Sequence, residues 1–231
     1  VTFNRKELLE ECLSNLLSSS YSEFHIYLID NGSTDGTKES IQDFLSNPKI
    51  SYFNTGKNLG GAGGFNYGRK RALDDGVDYI WMRDDDCMVS PDSLSKLISF
   101  AAEHPNFGYL SSFVKWTDGK PCLRNVQRKS LWKEITSFTE NQQIRLASFV
   151  SFFTRREVVE DVGLPIKDFF IWGDDGEYSS RVAKKYTSYF VCDSVVTHKC
   201  QNNRGSNIIQ DNGRLERYFY AYRNEYYFYH K

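Results

Sequence analysis

The chain has 231 residues, 40% hydrophobic and 26% charged, enough to close one sizeable core. Its 29 basic and 30 acidic residues leave a net charge of -1, which excludes the single-signed field of a nucleic-acid-wrapping surface. Apolar runs such as FHIYLI and SFVSFF fall far short of the roughly 18 residues that span a bilayer, and five cysteines without CxxC spacing suit a reducing, cytosolic setting better than a disulfide framework or a zinc site. No charged-then-apolar leader opens the chain, and Val1 already lies in an extended run, as in a domain trimmed from a longer protein.

VTFN reads as a short strand, and Leu8, Leu9, Cys12, Leu13, Leu16 and Leu17 then recur at helical spacing over 5–18. FHIYLI (24–29) is a buried-strand run that ends in DNGSTDGT, where Ser33 or Thr34 would cap a helix reaching about Leu45. ISYFN (50–54) is the next strand, followed by a glycine-rich stretch and a helix to about Asp75; DYIWM (78–82) leads into RDDD and a helix from Ser90 to Glu103. This alternation predicts an α/β fold, a largely parallel sheet flanked by helices, with ligands bound beyond the carboxyl ends of the strands. Asn4, Asp30, the glycine stretch and Asp84–Asp86 all fall at those ends.

After residue 106 the pattern becomes mixed, with strands expected at FGYLSSFV (107–114) and ASFVSFFT (147–154) around a polar stretch rich in Lys, Arg, Gln and Trp. In GDDGEYSSRVAKKY (173–186) a helix is expected with Asp174 and Glu177 as a capping box and with Tyr178, Val182 and Lys185 on one face. The last stretch, RLERYFYAYRNEYYFYHK, is helical in type with aromatics on most faces. It would pack on the domain, meet a further segment, or approach a membrane interface.

Two stretches carry chemistry. KNLGGAGGFNYG (57–68) has five glycines, which either build turns or let a ligand lie against the main chain. RDDDC places three carboxylates together at a strand end; this is either an exposed acidic turn or a cation site in which Asp84 and Asp86 point the same way while Asp85 faces elsewhere. Oxygen ligands would favour Mg²⁺ or Mn²⁺, and such ions complete their shells with phosphate oxygens, which joins the two stretches into one site for a phosphate-bearing ligand.

In order along the chain, VTFNR, LIDNGSTDGT, NLGGAGGF, DDD and FIWGDDGEY resemble the family 2 glycosyltransferases of the GT-A fold, over nearly the whole length. The spelling is most similar to bacterial galactofuranosyltransferases, with rhamnosyltransferases of polysaccharide assembly as near relatives. The resemblance implies a Rossmann-like GT-A domain over 1–205, with a nucleotide-sugar half (1–106) and an acceptor half (107–205), followed by the aromatic helix in 206–231. It implies metal-dependent, inverting transfer of a sugar from a UDP or dTDP donor to a saccharide or lipid-linked acceptor, in the cytoplasm or at the inner face of the membrane. Carried over by position, Phe3, Arg5, Asp30, Asn58, Gly60, Gly61, Gly63, Asp84, Asp85 and Trp172 are expected around the nucleotide sugar, with Asp30 accepting from a uracil or thymine N–H. Asp84, Asp86 and His198 are expected to hold Mn²⁺ or Mg²⁺, although a lone histidine read without the resemblance is equally a structural one. Asp175 is expected as the base, ionised beside a helix N-terminus, and Asp174 as the cap.

Three rival readings have their own signatures. A GxGxxG dinucleotide site fails because Asn66 stands where the third glycine belongs. A nucleotidyltransferase would need a basic glycine-rich loop near the start, which this chain lacks, and a non-catalytic carbohydrate-binding domain of this fold would not need Asp84, Asp86, Asp175 and His198 together. UDP-galactofuranose is the expected donor, with dTDP-rhamnose and UDP-galactopyranose as alternatives.

Overall fold

The computed structural model describes residues 1–204, 208–209 and 214–230. The expected division at 205/206 and the expected helical residue Lys231 lie outside them. The amphipathic stripe forms α1 (Lys6–Leu17), burying Leu9, Cys12 and Leu13. Next come β1 (Ile26–Asp30), two short helices α2 (Thr37–Ser40) and α3 (Gln42–Leu45), β2 (Ile50–Asn54) and α4 (Gly60–Asp74). The chain continues through β3 (Tyr79–Met82), β4 (Cys87–Val89), α5 (Ser93–Glu103) and β5 (Tyr109–Trp116). Short strands β6 (Arg128–Ser130), β7 (Lys133–Glu134) and β8 (Gln142–Ile144) precede β9 (Phe152–Arg155), α6 (Arg156–Val162), α7 (Asp174–Ala183), β10 (Ser188–His198) and α8 (Leu215–Tyr229).

Among the described residues, β1 and β2 pair in parallel, and a second, mixed sheet runs in the order β3-β9-β5-β10-β4 with β8 also on β10. In that sheet β10 is parallel to β5 and antiparallel to β4 and β8. The largest apolar cluster joins Phe65 of α4, Tyr109, Phe152, Phe190 and the α7 residues Tyr178 and Val182. Each such buried aromatic contributes about 1.5–3 kcal/mol, so α4 and α7 are fixed against the sheet face whose strand ends carry the polar residues. No helix among the described residues is long and apolar enough to cross a membrane.

Several local expectations change. VTFN makes only an isolated bridge from Thr2 to Asp30. Thr2 bonds β1 on one side, while a cavity of about 500 Å³, lined by Leu13, Leu28, Ile80 and Trp81, separates β1 from β3. Ser33 and Thr34 do not cap a helix, because both are bonded to Asn4: the Ser33 hydroxyl accepts from Asn4 N–H and Thr34 N–H donates to Asn4 Oδ1. The helix instead starts behind Gly36 at φ 83. The segment 87–89 is a strand that delays α5 to Ser93, and 149–151 is a 3₁₀ turn before β9. Helix α7 ends at Ala183, so Lys185 lies beyond it and pairs with Asp161 at 2.9 Å.

Candidate functional site

The acidic turn links β3 to β4, and the antiparallel pairing of β4 with β10 sets His198 opposite Cys87. His198, 112 positions beyond Asp86, thereby comes to the acidic turn: its Nε2 lies 3.2 Å from Asp86 Oδ1. One donor atom each from Asp84, Asp86 and His198 lie within 4.8 Å of one another. Asp85 turns the other way, its Oδ2 accepting from Thr2 Oγ1 at 2.7 Å and its Oδ1 from Arg5 at 3.3 Å. Arg5 also donates to Asp86 Oδ2 at 2.6 Å.

Burial, reinforced by the Asp86 charge, pushes the Asp84 carboxyl up. Burial would raise Asp86 too, but the neighbouring His198 and Arg5 hold it below the usual range. For His198, burial opposes the charged form, and Asp86 together with Cys122 and Cys200 outweighs it and pushes the ring upward. Asp86 Oδ1 is buried and lacks a well-formed hydrogen bond, which is expensive for a carboxylate oxygen. Two carboxylates, one of them with an under-coordinated oxygen, and one imidazole form a donor set that fits a hard divalent cation.

This cluster lines a cleft of about 1410 Å³. Phe3, Arg5, Asn58, Gly60, Gly61, Asp84, Asp85, Asp86, Trp172, Asp174, Asp175 and His198 all line it. Asp30 and Gly63 do not. Asp30 is 1% exposed, and its carboxylate is taken up by Ser33 N–H, Tyr52 Oη and Asn54 Nδ2, so it orders the loop beneath the cleft. A Cβ on Gly63 would strike Leu59 inside the helix N-terminus.

The glycine stretch therefore serves protein packing more than ligand approach. A Cβ at Gly60, φ 71, would collide with the Phe170 carbonyl, and one at Gly64 or Gly68 would meet Val1 or Ile29. Gly61, half-buried on the cleft wall, has nothing within 4 Å of such a Cβ and is the position open to a ligand. Asn58 Oδ1 accepts from Gly60 N–H at 2.8 Å and so orders the first turn of α4.

One wall is the loop 166–173, in which Phe170 (φ 64) and Trp172 (φ 62) hold the left-handed region that bulky residues avoid. Gly173 at φ 83 occupies the N-cap of α7, and Asp174 is the first helical residue, with no side-chain cap bond. The expected capping box is thus absent: the left-handed turn puts glycine in the cap position, and Glu177 pairs with Arg181 at 2.8 Å instead. Asp174 is buried, and burial beside Asp175 pushes it well above the carboxylate range. Asp175 is half-buried; burial raises it despite the Gly176 N–H at 2.7 Å, so desolvation outweighs the helix N-terminus that was expected to keep it acidic.

Helix α8 fastens this loop. Asn224, 1% exposed, donates to the carbonyls of Phe169, Ile171 and Trp172 at 2.9, 3.2 and 2.7 Å. Tyr218 meets Trp172 edge to face at 5.0 Å. The first of the three expectations for this helix, packing on the domain, describes this face, while Phe219, Tyr222 and Tyr226 remain exposed.

Residues without a sequence signal complete the cleft. Asn125 accepts from His198 Nδ1 at 2.7 Å while its own amide donates to Ser148 at 2.9 Å, an arrangement that directs Nε2 toward Asp86. Arg128, Lys199, Arg214 and Arg217 add positive charge to the lining. Burial and the like charges of Arg214 and Arg5 lower the Arg217 guanidinium, so these three cations share one field. They are scattered over the chain, and only the position of α8 brings them together.

Residues 1–163 match the sequence profile described as Glycosyl transferase family 2. The galactofuranosyltransferase GlfT1 of Mycolicibacterium smegmatis is 29% identical over 97% of this chain and 79% of that protein. The poly-beta-1,6-N-acetyl-D-glucosamine synthase of Staphylococcus epidermidis is 30% identical over 53% of this chain and 27% of that protein. Among solved structures, the mannosyltransferase PcManGT from Pyrobaculum calidifontis, in complex with GDP-Man and Mn²⁺, superposes with a TM-score of 0.66 at 20% identity, covering 85% of this chain and 54% of that one. GalNAc-T7 with UDP, GalNAc and Mn²⁺ gives 0.68 at 17% identity, covering 88% and 43%. The chain thus spans about half the length of these solved structures, and the likeness shows the GT-A fold.

Proposed function

This chain belongs to glycosyl transferase family 2 and is a glycosyltransferase, and from that premise we propose that its cleft transfers galactofuranose from UDP-galactofuranose to a saccharide hydroxyl, with inversion, using Mn²⁺ or Mg²⁺. The observation that carries the proposal is the convergence of Asp84, Asp86 and His198 in a cleft that Asp174 and Asp175 also line. A divalent ion held by the first three would offset the charge that builds on the departing diphosphate. Arg5, Arg214 and Arg217 supply further positive charge along the same cleft, suited to phosphate oxygens. Gly61 leaves main chain open to the donor, and Trp172 offers an aromatic wall to a sugar ring.

Asp175 takes the proton from the acceptor hydroxyl as it attacks. Its raised pKa makes it a stronger base than an exposed carboxylate while leaving it ionised in the working form. Asp174, more deeply buried, is pushed further toward the protonated form, in which it would donate a hydrogen bond to a sugar hydroxyl. The galactofuranosyl donor is supported by the GlfT1 likeness across 97% of the chain. A panel of UDP- and dTDP-sugars with Mn²⁺, read by released nucleotide, tests the reading: turnover with UDP-galactofuranose is expected. Turnover confined to dTDP-rhamnose or UDP-galactopyranose would replace the donor, and binding without turnover across the panel would turn the assignment into a carbohydrate-binding domain.

A further inference from the structure

His198 has a second nitrogen, and its surroundings are chemically unlike those of the first. Cys122 Sγ lies 3.8 Å from His198 Nδ1 and 3.9 Å from Cys200 Sγ, and the three atoms lie within 4.8 Å of one another. A tetrahedral ion with bonds of about 2.3 Å to sulfur and 2.0–2.1 Å to nitrogen needs S···S near 3.8 Å and S···N near 3.6 Å. The two edges that meet at Cys122 Sγ already stand within a few tenths of an ångström of those values, and the third is no longer than 4.8 Å. Asn125 Oδ1, 3.1 Å from Cys122 Sγ and 2.7 Å from His198 Nδ1, stands closer than a tetrahedral edge and would draw back by about half an ångström to serve as a fourth donor. The frame is built in: Cys122 N–H bonds Val114 on β5, Trp116 Nε1 bonds the Cys200 carbonyl at 2.9 Å, and His198 is held in register by β4 and β5. Cys122 is 1% exposed, whereas His198 and Cys200 line the cleft, which gives an ion its entry.

We propose that Cys122, Cys200 and His198 Nδ1 form a binding site for a soft, thiophilic divalent cation of the Zn²⁺ class, and that filling it removes His198 from the hard-cation site on the other edge of the ring. The sequence spacing concealed this site, because its two cysteines are 78 positions apart with no CxxC pattern. Two sulfurs and an imidazole select a soft metal, just as two carboxylates and an imidazole select a hard one. On binding, each thiol releases its proton to solvent, Nδ1 loses its proton to solvent as well, and Nε2 keeps the proton it directs at Asp86. A neutral ring has one lone pair, so Nε2 then has none to offer beside Asp84 and Asp86. The binding half stands on these side chains alone; the antagonism rests on the proposed role of His198.

Cobalt(II) titration of the fully reduced protein reads the site without turnover. The expected result is a thiolate-to-cobalt charge-transfer band with the visible bands of a tetrahedral centre, saturating at one equivalent, discharged by Zn²⁺ and absent from Cys122→Ser/Cys200→Ser. Cobalt bound by Asp84 and Asp86 gives no thiolate band. Absence of that band in the wild type, or its survival in the double variant, overturns the site. Cys200→Ser, at the partly exposed position, provides the same reading at reduced intensity if the double variant does not fold. In the transfer assay with saturating Mn²⁺, Zn²⁺ should inhibit the wild type at concentrations at least tenfold lower than the double variant. Equal inhibition overturns the antagonism while leaving the binding site, and if no donor turns over, the titration still decides the site.

Discussion

Replacing Asn224 with Ala should loosen the wall that carries both catalytic-loop aspartates. Its amide has two N–H groups, which serve three buried carbonyls at 2.7–3.2 Å. Deleting it removes two to three hydrogen bonds at about 1 kcal/mol each and strands carbonyls with no substitute, about 2–4 kcal/mol in all. Those carbonyls belong to a loop holding Phe170 and Trp172 at φ 64 and 62, conformations that cost about 1–3 kcal/mol each. The clamp and the strain it restrains are thus of similar size, and without the clamp the loop should relax and carry Asp174 and Asp175 out of place. In a 231-residue chain, such a loss lowers Tm by roughly 5–12 °C. The transfer rate should fall by about ten- to a hundredfold, because small displacements of a base are costly. Donor KM should change much less, since Asp84, Asp86 and Arg5 lie on other elements. Differential scanning calorimetry with steady-state transfer kinetics checks both numbers. A Tm within about 1 °C of wild type together with unchanged kcat would refute the idea that Asn224 holds the loop.

Asp175→Asn should keep donor affinity and lower the transfer rate by about three powers of ten, roughly 4 kcal/mol, with Asp174→Asn milder; calorimetric donor binding beside product release separates them. Because only the ionised carboxylate accepts a proton and burial raises Asp175, activity at saturating metal should be present at high pH and fall as pH drops through a midpoint above the ordinary carboxylate range. That limb should vanish in Asp175→Asn, and a wild-type midpoint at or below about 4 would contradict the assignment. Asn125→Ala should weaken Mn²⁺ binding by about 10–100-fold in a metal titration, as loss of an outer partner to a ligating histidine does. Gly60→Ala should cost about 2 kcal/mol or more in urea denaturation, from its φ of 71 and the Phe170 carbonyl, whereas Gly61→Ala should leave stability nearly unchanged and weaken donor binding.

What could be read along the chain depended on whether the signal was local. The acidic triplet was legible because neighbouring carboxylates repel whatever surrounds them, and the buried stripe of α1 because its period is its own. The place of His198 depends on the β4–β10 register, so the residues alone left it a lone histidine and only the family resemblance drew attention to it. The glycine stretch was legible as a place of close approach, but the partner that approaches is mostly the protein itself: the Phe170 carbonyl at Gly60, Val1 at Gly64 and Ile29 at Gly68. Asp30 sits at the expected strand end, yet Tyr52 and Asn54 from the paired strand engage its carboxylate, a contact set by the β1–β2 register. Asp174 carries the usual capping residue type, but two left-handed residues upstream pass the cap to Gly173. Asn125 and Asn224 had no motif, because each acts through a partner more than 50 positions away.

A cation at Asp84, Asp86 and His198 is proposed to hold the diphosphate of a nucleotide sugar. Calorimetric titration of UDP into the wild-type protein and into Asp86→Ala, each with Mn²⁺ and again in excess chelator, tests it most directly. Saturable binding is expected only for the wild type with Mn²⁺, with affinity at least tenfold weaker in the other three combinations. Equal affinity with and without the metal, or in Asp86→Ala, would contradict it.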